Sequence, residues 1–189
     1  IKNVKTLSAK KKKRINADSY SSIMNGLEKY DPNSILNEDL ELAFSFPLER
    51  SASKEKSHLN VYFAKGRLNR ATGIVTPRPW YEAELIAPKS LISAPGYPIG
   101  KFKAYTDDGY IIPMKTSGDY NKNIQSSGTE RGTLQLFGAW IKGKMEQKGV
   151  LDVFKPFDLD VLEAYGSKEL KFYKIKDSTI RGNNYYLEF

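Results

Sequence analysis

The segment Arg78-Pro79-Trp80-Tyr81-Glu82-Ala83-Glu84-Leu85 closes a long polar stretch rich in arginine and glycine, and opens a strand predicted from Trp80 to Ala87. A connection of that length inside a compact domain is usually functional or disordered. Before it, Leu40, Leu42, Phe44 and Phe46 alternate with Glu41, Ala43 and Ser45, which predicts a half-buried strand ending at Pro47. After it, Phe102 to Thr106 and Tyr110 to Lys115 predict a hairpin around Asp108-Gly109, with Pro113 pointing to an edge or bulge. A second polar stretch, Thr116 to Gly132, has Ile124 as its one large aliphatic residue.

The rest of the chain encloses these strands. Tyr20, Ile23, Met24, Leu27 and Tyr30 have helical spacing, behind Asp18 or Ser19 as cap and ahead of Asp31-Pro32 as stop. Such a helix either docks a neighbouring domain or packs on its own. Leu134, Phe137, Trp140, Ile141 and Met145 predict one face of a later helix, with Lys142, Lys144 and Lys148 opposite. Asp158 caps a short helix through Val161, Leu162 and Tyr165, stopped by Gly166. Leu170 to Ile175 and Tyr185 to Phe189 read as closing strands, and no internal repeat is evident. Many short strands, one hairpin and two helices predict an α+β, mainly β chain: a small barrel with helices at its ends. Residues 1–37 read as a basic linker and docking helix, and residues 38–189 as the domain.

Composition narrows the function. The chain has 189 residues and a net charge of +8, but seven basic residues without an acid sit in residues 1–14. From Ile15 onward the balance is close to neutral. A second basic concentration, Lys54, Lys56, Lys65, Arg67, Arg70 and Arg78, is opposed locally by Glu55 alone. Charge gathered in one place is what a surface for polyanions requires. Cysteine is absent, which excludes disulfides and thiolate metal sites. Apolar runs fall short of a membrane span, and no apolar segment follows the basic start as in a secretory signal. A start at Ile1 suggests a fragment of something longer.

With the turn Thr106-Asp107-Asp108-Gly109-Tyr110 and the stretch Lys115-Thr116-Ser117-Gly118-Asp119-Tyr120-Asn121-Lys122-Asn123, the opening segment resembles the C-terminal half of NgoFVII-family restriction endonucleases. The resemblance runs from about Leu40 to Phe189. It implies a B3-like DNA-binding pseudobarrel of about seven strands with two flanking helices. It also implies a sequence-specific duplex-DNA reader in the bacterial cytosol. The partner would be a nuclease domain N-terminal to it in the same polypeptide.

Residues for catalysis are poorly represented. The family's catalytic half uses a His-x-Lys motif, whereas the single histidine, His58, precedes Leu59 and Asn60. Glu146-Gln147-Lys148 has a nuclease-like spacing but falls at a helix end. Glu82 and Glu84 on one strand face could hold a divalent ion or serve as partners for nearby arginines. No Gly-rich phosphate loop and no Ser-His-Asp set is recognisable. No cofactor or metal is expected, and the fragment itself is not expected to be an enzyme.

The two polar stretches instead offer the side chains that read base edges: arginine or lysine for guanine, asparagine or glutamine for adenine. In B3-like domains two arms enter the major groove. The resemblance places the N-arm at about residues 58–75, with His58, Asn60, Lys65, Arg67, Asn69 and Arg70 as candidates. It places the C-arm at about 116–132, with Lys115, Ser117, Asp119, Tyr120, Asn121, Lys122, Asn123, Gln125, Ser126, Ser127 and Arg131 in or beside it. Two Leu-Asn pairs, Leu59-Asn60 and Leu68-Asn69, compete for the position where the family commonly shows Gly-Leu-Asn-Trp. Binding of RNA or of a modified base in a tyrosine-lined pocket (Tyr62, Tyr105, Tyr110 or Tyr120) is one alternative, and a self-contained metal-dependent nuclease using Glu82 and Glu84 is a more remote one.

Overall fold

The computed structural model describes Tyr20 and residues 22–130, 132–176 and 183–189. Seven strands follow one another in a curled sheet in the order β2-β9-β10-β6-β7-β8-β5, the open barrel expected from the sequence. They are β2 (Leu40–Pro47), β5 (Glu84–Ile86), β6 (Lys101–Thr106), β7 (Tyr110–Ser117), β8 (Asn123–Ser126), β9 (Glu169–Ile175) and β10 (Asn184–Glu188). Neighbours pair antiparallel except β10 with β6, which run parallel. A short strand β1 (Glu28–Lys29) adds to β7. Two more, β3 (Arg67–Leu68) and β4 (Val75–Thr76), pair only with each other.

Of the helices, α1 (Glu49–Ala52) and α2 (Lys89–Ile92) are single turns. Helix α3 (Leu136–Gln147) plugs the barrel, and α4 (Leu159–Tyr165) closes one end. Asp158 accepts from Val161 N at 3.1 Å, and Gly166 stops α4 at φ 91°, as its sequence predicts. The core gathers Phe44, Phe46, Leu59, Trp80, Tyr81, Leu85, Phe137, Trp140, Phe157 and Phe172, each buried. Side chains of this kind stabilise by roughly 1.5–3 kcal/mol apiece when fully buried. Helix α3 approaches so closely that a Cβ on Gly138 would lie 1.8 Å from the Tyr81 carbonyl oxygen. Only glycine fits there.

Three expectations need correction. The N-terminal helical residues end at Asn25, short of Asp31, because Glu28 and Lys29 pair with Ile111 and Tyr110. Met24 and Leu27 are buried in the barrel's own core, and Tyr30 donates to the Thr106 carbonyl at 2.5 Å. The strand expected from Trp80 is β5 alone. Trp80 and Tyr81 sit in a turn because Trp80 Nε1 and Tyr81 Oη both donate to the Glu146 carboxylate, at 2.7 and 2.8 Å. Glu146 is thus a clamp on the core rather than part of a nuclease motif. Finally, Lys142 does not face solvent: it is fully buried, and its Nζ donates to the Trp80 carbonyl at 2.7 Å. Pro113 pairs with Lys103 of β6 and, on the other edge of β7, falls between β8 pairing, which ends at Met114, and β1 pairing, which begins at Ile111.

Candidate nucleic-acid interface

The first polar stretch divides into two structurally opposite parts. His58 to Phe63 form a tight helical turn whose first four residues are buried. Asn60 donates to the Lys54 and Phe157 carbonyls at 2.7 and 2.8 Å and accepts from Phe157 N at 2.8 Å. Its amide is therefore consumed in joining two distant parts of the chain. His58 Nδ1 lies 3.0 Å from Ser51 Oγ and accepts from Ile86 N at 3.4 Å. Burial, followed by the charges of Arg50 and Lys54, pushes its pKa down to about 4. Both residues leave the set available to a ligand, and Leu59-Asn60 is the interior Leu-Asn pair.

Leu68-Asn69 is the exposed one. Strands β3 and β4 make a ribbon in which every residue from Arg67 to Thr76 is exposed. Asn69 N donates to the Ile74 carbonyl at 2.8 Å, and Asn69 Oδ1 accepts from Ala71 N at 2.9 Å and Thr72 N at 3.3 Å. This side chain braces the turn, and Gly73 supplies the positive φ of 70° that the turn needs. At the root of the ribbon, Arg67 and Arg78 donate to one oxygen of Glu82, at 2.5 and 2.6 Å. Arg78 Nε also donates to the Lys65 carbonyl at 3.3 Å. Lys65 and Arg70 are exposed.

The second stretch is the β7–β8 hairpin and the loop that follows. Its turn contains Gly118, Tyr120 and Asn121, with φ of 75°, 59° and 56°. Left-handed backbone at Tyr120 is unfavourable for a bulky side chain, and Tyr120 is also 87% exposed. The strain is held by Tyr97 Oη, which donates to the Asn121 carbonyl at 2.7 Å, and by Ala87 N, which donates to Lys122 O at 2.7 Å. Asp119 and Lys122 form an exposed pair at 3.7 Å. Gln125 donates to Ser117 Oγ at 3.0 Å. Ser126 is buried, its Oγ accepting from Phe137 N at 2.8 Å at the start of α3, so it is not placed to meet a phosphate. Ser127 is half-buried, and its N donates to the Pro113 carbonyl at 2.7 Å. Arg131 lies outside the described residues.

Strand register places Lys101, Lys115, Gln125 and Glu84 opposite one another across four strands. Ser117, Asn123 and Ile86 make the next row. None of these seven side chains is buried, whereas Met114, Thr116, Ile124 and Leu85, which alternate with them, are. The rows end at a cleft of about 240 Å³ lined by Lys56, Arg67, Arg78, Glu82, Glu84 and Gln125 among others. Arg67 from the first stretch and Gln125 from the second therefore share one cleft.

The sequence places Lys56 and Arg78 in its basic concentration and Glu82 beside arginines, but nothing in it brings Lys101 to this surface. The Arg78-to-Glu82 spacing was the available signal, but the turn between them was read as strand. Glu82 is buried and balanced by two guanidiniums, and Glu84 is raised in pKa, foremost by burial. Two carboxylates in those states make a poor divalent-ion site. Among the described residues no helix is long and apolar enough to cross a membrane.

A family model described as the NgoFVII C-terminal B3-like DNA-binding domain matches residues 34–176. No curated protein matches the chain.

Proposed function

The chain belongs to the family of NgoFVII C-terminal B3-like DNA-binding domains of restriction enzymes, and on that premise we propose that it reads a specific duplex sequence through the major groove with two arms. The N-arm is the β3–β4 ribbon, narrower than the stretch from His58 that the sequence suggested. The C-arm is the turn from Gly118 to Lys122, with the loop that follows β8. The observation that carries the reading is the cleft shared by Arg67 and Gln125, flanked by an exposed ribbon on one side and a strained, braced turn on the other.

Each part has a chemical role. A two-stranded ribbon fits the major groove, and rigid placement of readers keeps the entropy cost of binding low. Lys65, Arg70, Lys115 and Lys122 supply phosphate contacts or guanine edges, Asn121 and Gln125 supply amides suited to adenine, and Asn123, whose Oδ1 is buried, is left with its amide nitrogen as a donor. Asp119 accepts from a cytosine amine. Cleavage comes from a nuclease domain elsewhere in the same polypeptide, within a bacterial cytosol. Such complexes bury roughly 1,000–2,500 Å² of protein surface, which two arms and the rows between them can supply.

Selection from a random duplex pool tests the proposal. A short consensus bound at least about 1,000-fold tighter than bulk DNA is expected. Enrichment of no sequence, or tighter binding to a matched RNA duplex, would overturn it.

A further inference from the structure

The N-arm ribbon carries aliphatic side chains just below its turn. Leu68, Ile74 and Val75 are 59%, 62% and 57% exposed. Leu68 and Val75 are cross-strand partners, so their side chains share a face. Ile74 stands opposite Asn69 at the closing pair of the turn, one position on and so on the other face of the ribbon. The polar groups of the ribbon, by contrast, are largely spent on its own architecture. Arg67 is held by Glu82, Asn69 Oδ1 caps the turn, and Thr72 Oγ1 accepts from Ile74 N at 3.4 Å. An arm that enters a groove in this state brings few hydrogen-bonding readers and a dense set of methyl groups.

The major groove carries one apolar feature, the C5-methyl group of a pyrimidine. We propose that Leu68, Ile74 and Val75 read 5-methylpyrimidine edges, so that the N-arm specifies sequence by apolar contact while the C-arm reads hydrogen-bonding groups. This rests on the two-arm reading above. Charge complementarity favours DNA over a protein as the occupant. The aliphatic residues share the ribbon and its approach with Lys65, Arg67 and Arg70, and the one acid between Lys54 and Arg78 is Glu55. Exposed aliphatic residues on both faces of a projecting ribbon are a liability in the free domain unless a ligand covers them.

Two methyl sources exist, thymine and 5-methylcytosine, and the experiment separates them. Starting from the selected duplex, each thymine is replaced singly by uracil, which removes the methyl and leaves every hydrogen-bonding group. In a second series each cytosine is replaced by 5-methylcytosine. Binding of the full chain is compared with that of Leu68→Ala, Ile74→Ala and Val75→Thr, whose changes lie on the exposed ribbon and spare Asn69 and Gly73. One or more replacements should change wild-type affinity by roughly three- to four-fold per methyl, the value of one buried carbon. At least one variant should lose sensitivity to that same replacement. Dependence on uracil assigns thymine, and tighter binding after cytosine methylation assigns 5-methylcytosine.

A wild-type protein indifferent to both series would overturn the inference, as would variants that retain full sensitivity. Variants that bind DNA normally but lose association with another protein would overturn it too. If no sequence is selected at all, the two-arm reading fails first. A selected sequence without methyl dependence refutes this inference alone.

Discussion

Arg67 Nη2 lies 2.5 Å from Glu82 Oε1, and the same oxygen takes Arg78 Nη1 at 2.6 Å, so one buried carboxylate holds both ends of the ribbon. Arg67 sits at the start of β3 and Arg78 just past the end of β4. Glu82 Oε2 has no hydrogen-bond partner among the described residues, which leaves the attachment to a single atom. The ribbon has few other contacts with the barrel, so its orientation depends on this fork.

Replacing Glu82 with Gln keeps the shape and removes the charge. Breaking a buried pair costs several kcal/mol, but Arg67 is nearly half exposed, so a loss of about 2 kcal/mol is expected. Urea unfolding measures it. Hydrogen exchange at residues 67–76 should rise while exchange in β6 and β7 stays unchanged. If the ribbon's exchange in Glu82→Gln equals that of wild type, the fork is not what positions it.

The basic tail and the arms should separate by salt and by sequence. Deleting residues 1–14 removes seven basic residues, and the dependence of log K on log salt should flatten by up to about six phosphate equivalents. Site preference should stay. Arg70, Asp119, Asn121 or Lys122 replaced singly by Ala should relax discrimination by about 1–3 kcal/mol wherever that residue meets a base. Uniform weakening on every duplex from all four variants would show that these residues touch only the backbone of the DNA.

His58 gives the domain an acid limit. Its pKa falls from the ordinary 6.5 to about 4 in the folded state, because burial and then Arg50 and Lys54 disfavour the charged ring. The unfolded chain protonates first as pH falls. The stability carried by the neutral ring is therefore complete above pH 6.5, drains between 6.5 and about 4, and is gone below. On the order of 3 kcal/mol is at stake. His58→Asn preserves an acceptor and tolerates the φ of 56° at this position. The difference in unfolding free energy between wild type and His58→Asn should narrow over that window. A constant difference from pH 7.5 to 4 would rule out the ring as the cause.

Local chemistry carried much of the fold. Strand β2, the β6–β7 hairpin around Gly109 and the Asp158-capped helix are each encoded by a few adjacent residues, and each lies where its periodicity or turn places it. What failed depends on distant partners. Asn60 looks like a loop asparagine until Phe157 reaches it, and Ser126 like a phosphate ligand until Phe137 N does. Trp80 and Tyr81 leave the strand pattern because Glu146 holds both. For the proposed interface, polar composition marked two stretches, but it did not distinguish residues that hold their own loop, such as Asn69 and Arg67, from those left to face solvent.

Lys142 departs from its helical pattern for a related reason. Helix α3 is buried from Phe137 to Gly143 on every side, so its lysine had no outward face to occupy. The ammonium instead donates to Trp80 O and lies 4.0 Å from the centre of the Trp80 ring. Burial pushes its pKa from 10.5 down to about 7, partly opposed by Glu146. With the folded value below the unfolded one, the unfolded chain holds the extra proton between pH 7 and 10.5. Through Lys142, stability therefore rises across that window, and below pH 7 the full cost of a buried charge is present. Lys142→Met, close in volume, should be more stable than wild type at pH 6, with its advantage shrinking steadily by pH 9. Denaturant unfolding at the two pH values reads the difference directly. If Lys142→Met is less stable at pH 6 than at pH 9 relative to wild type, the hydrogen bond and ring contact outweigh the buried charge, and the lysine is a net contributor to the core.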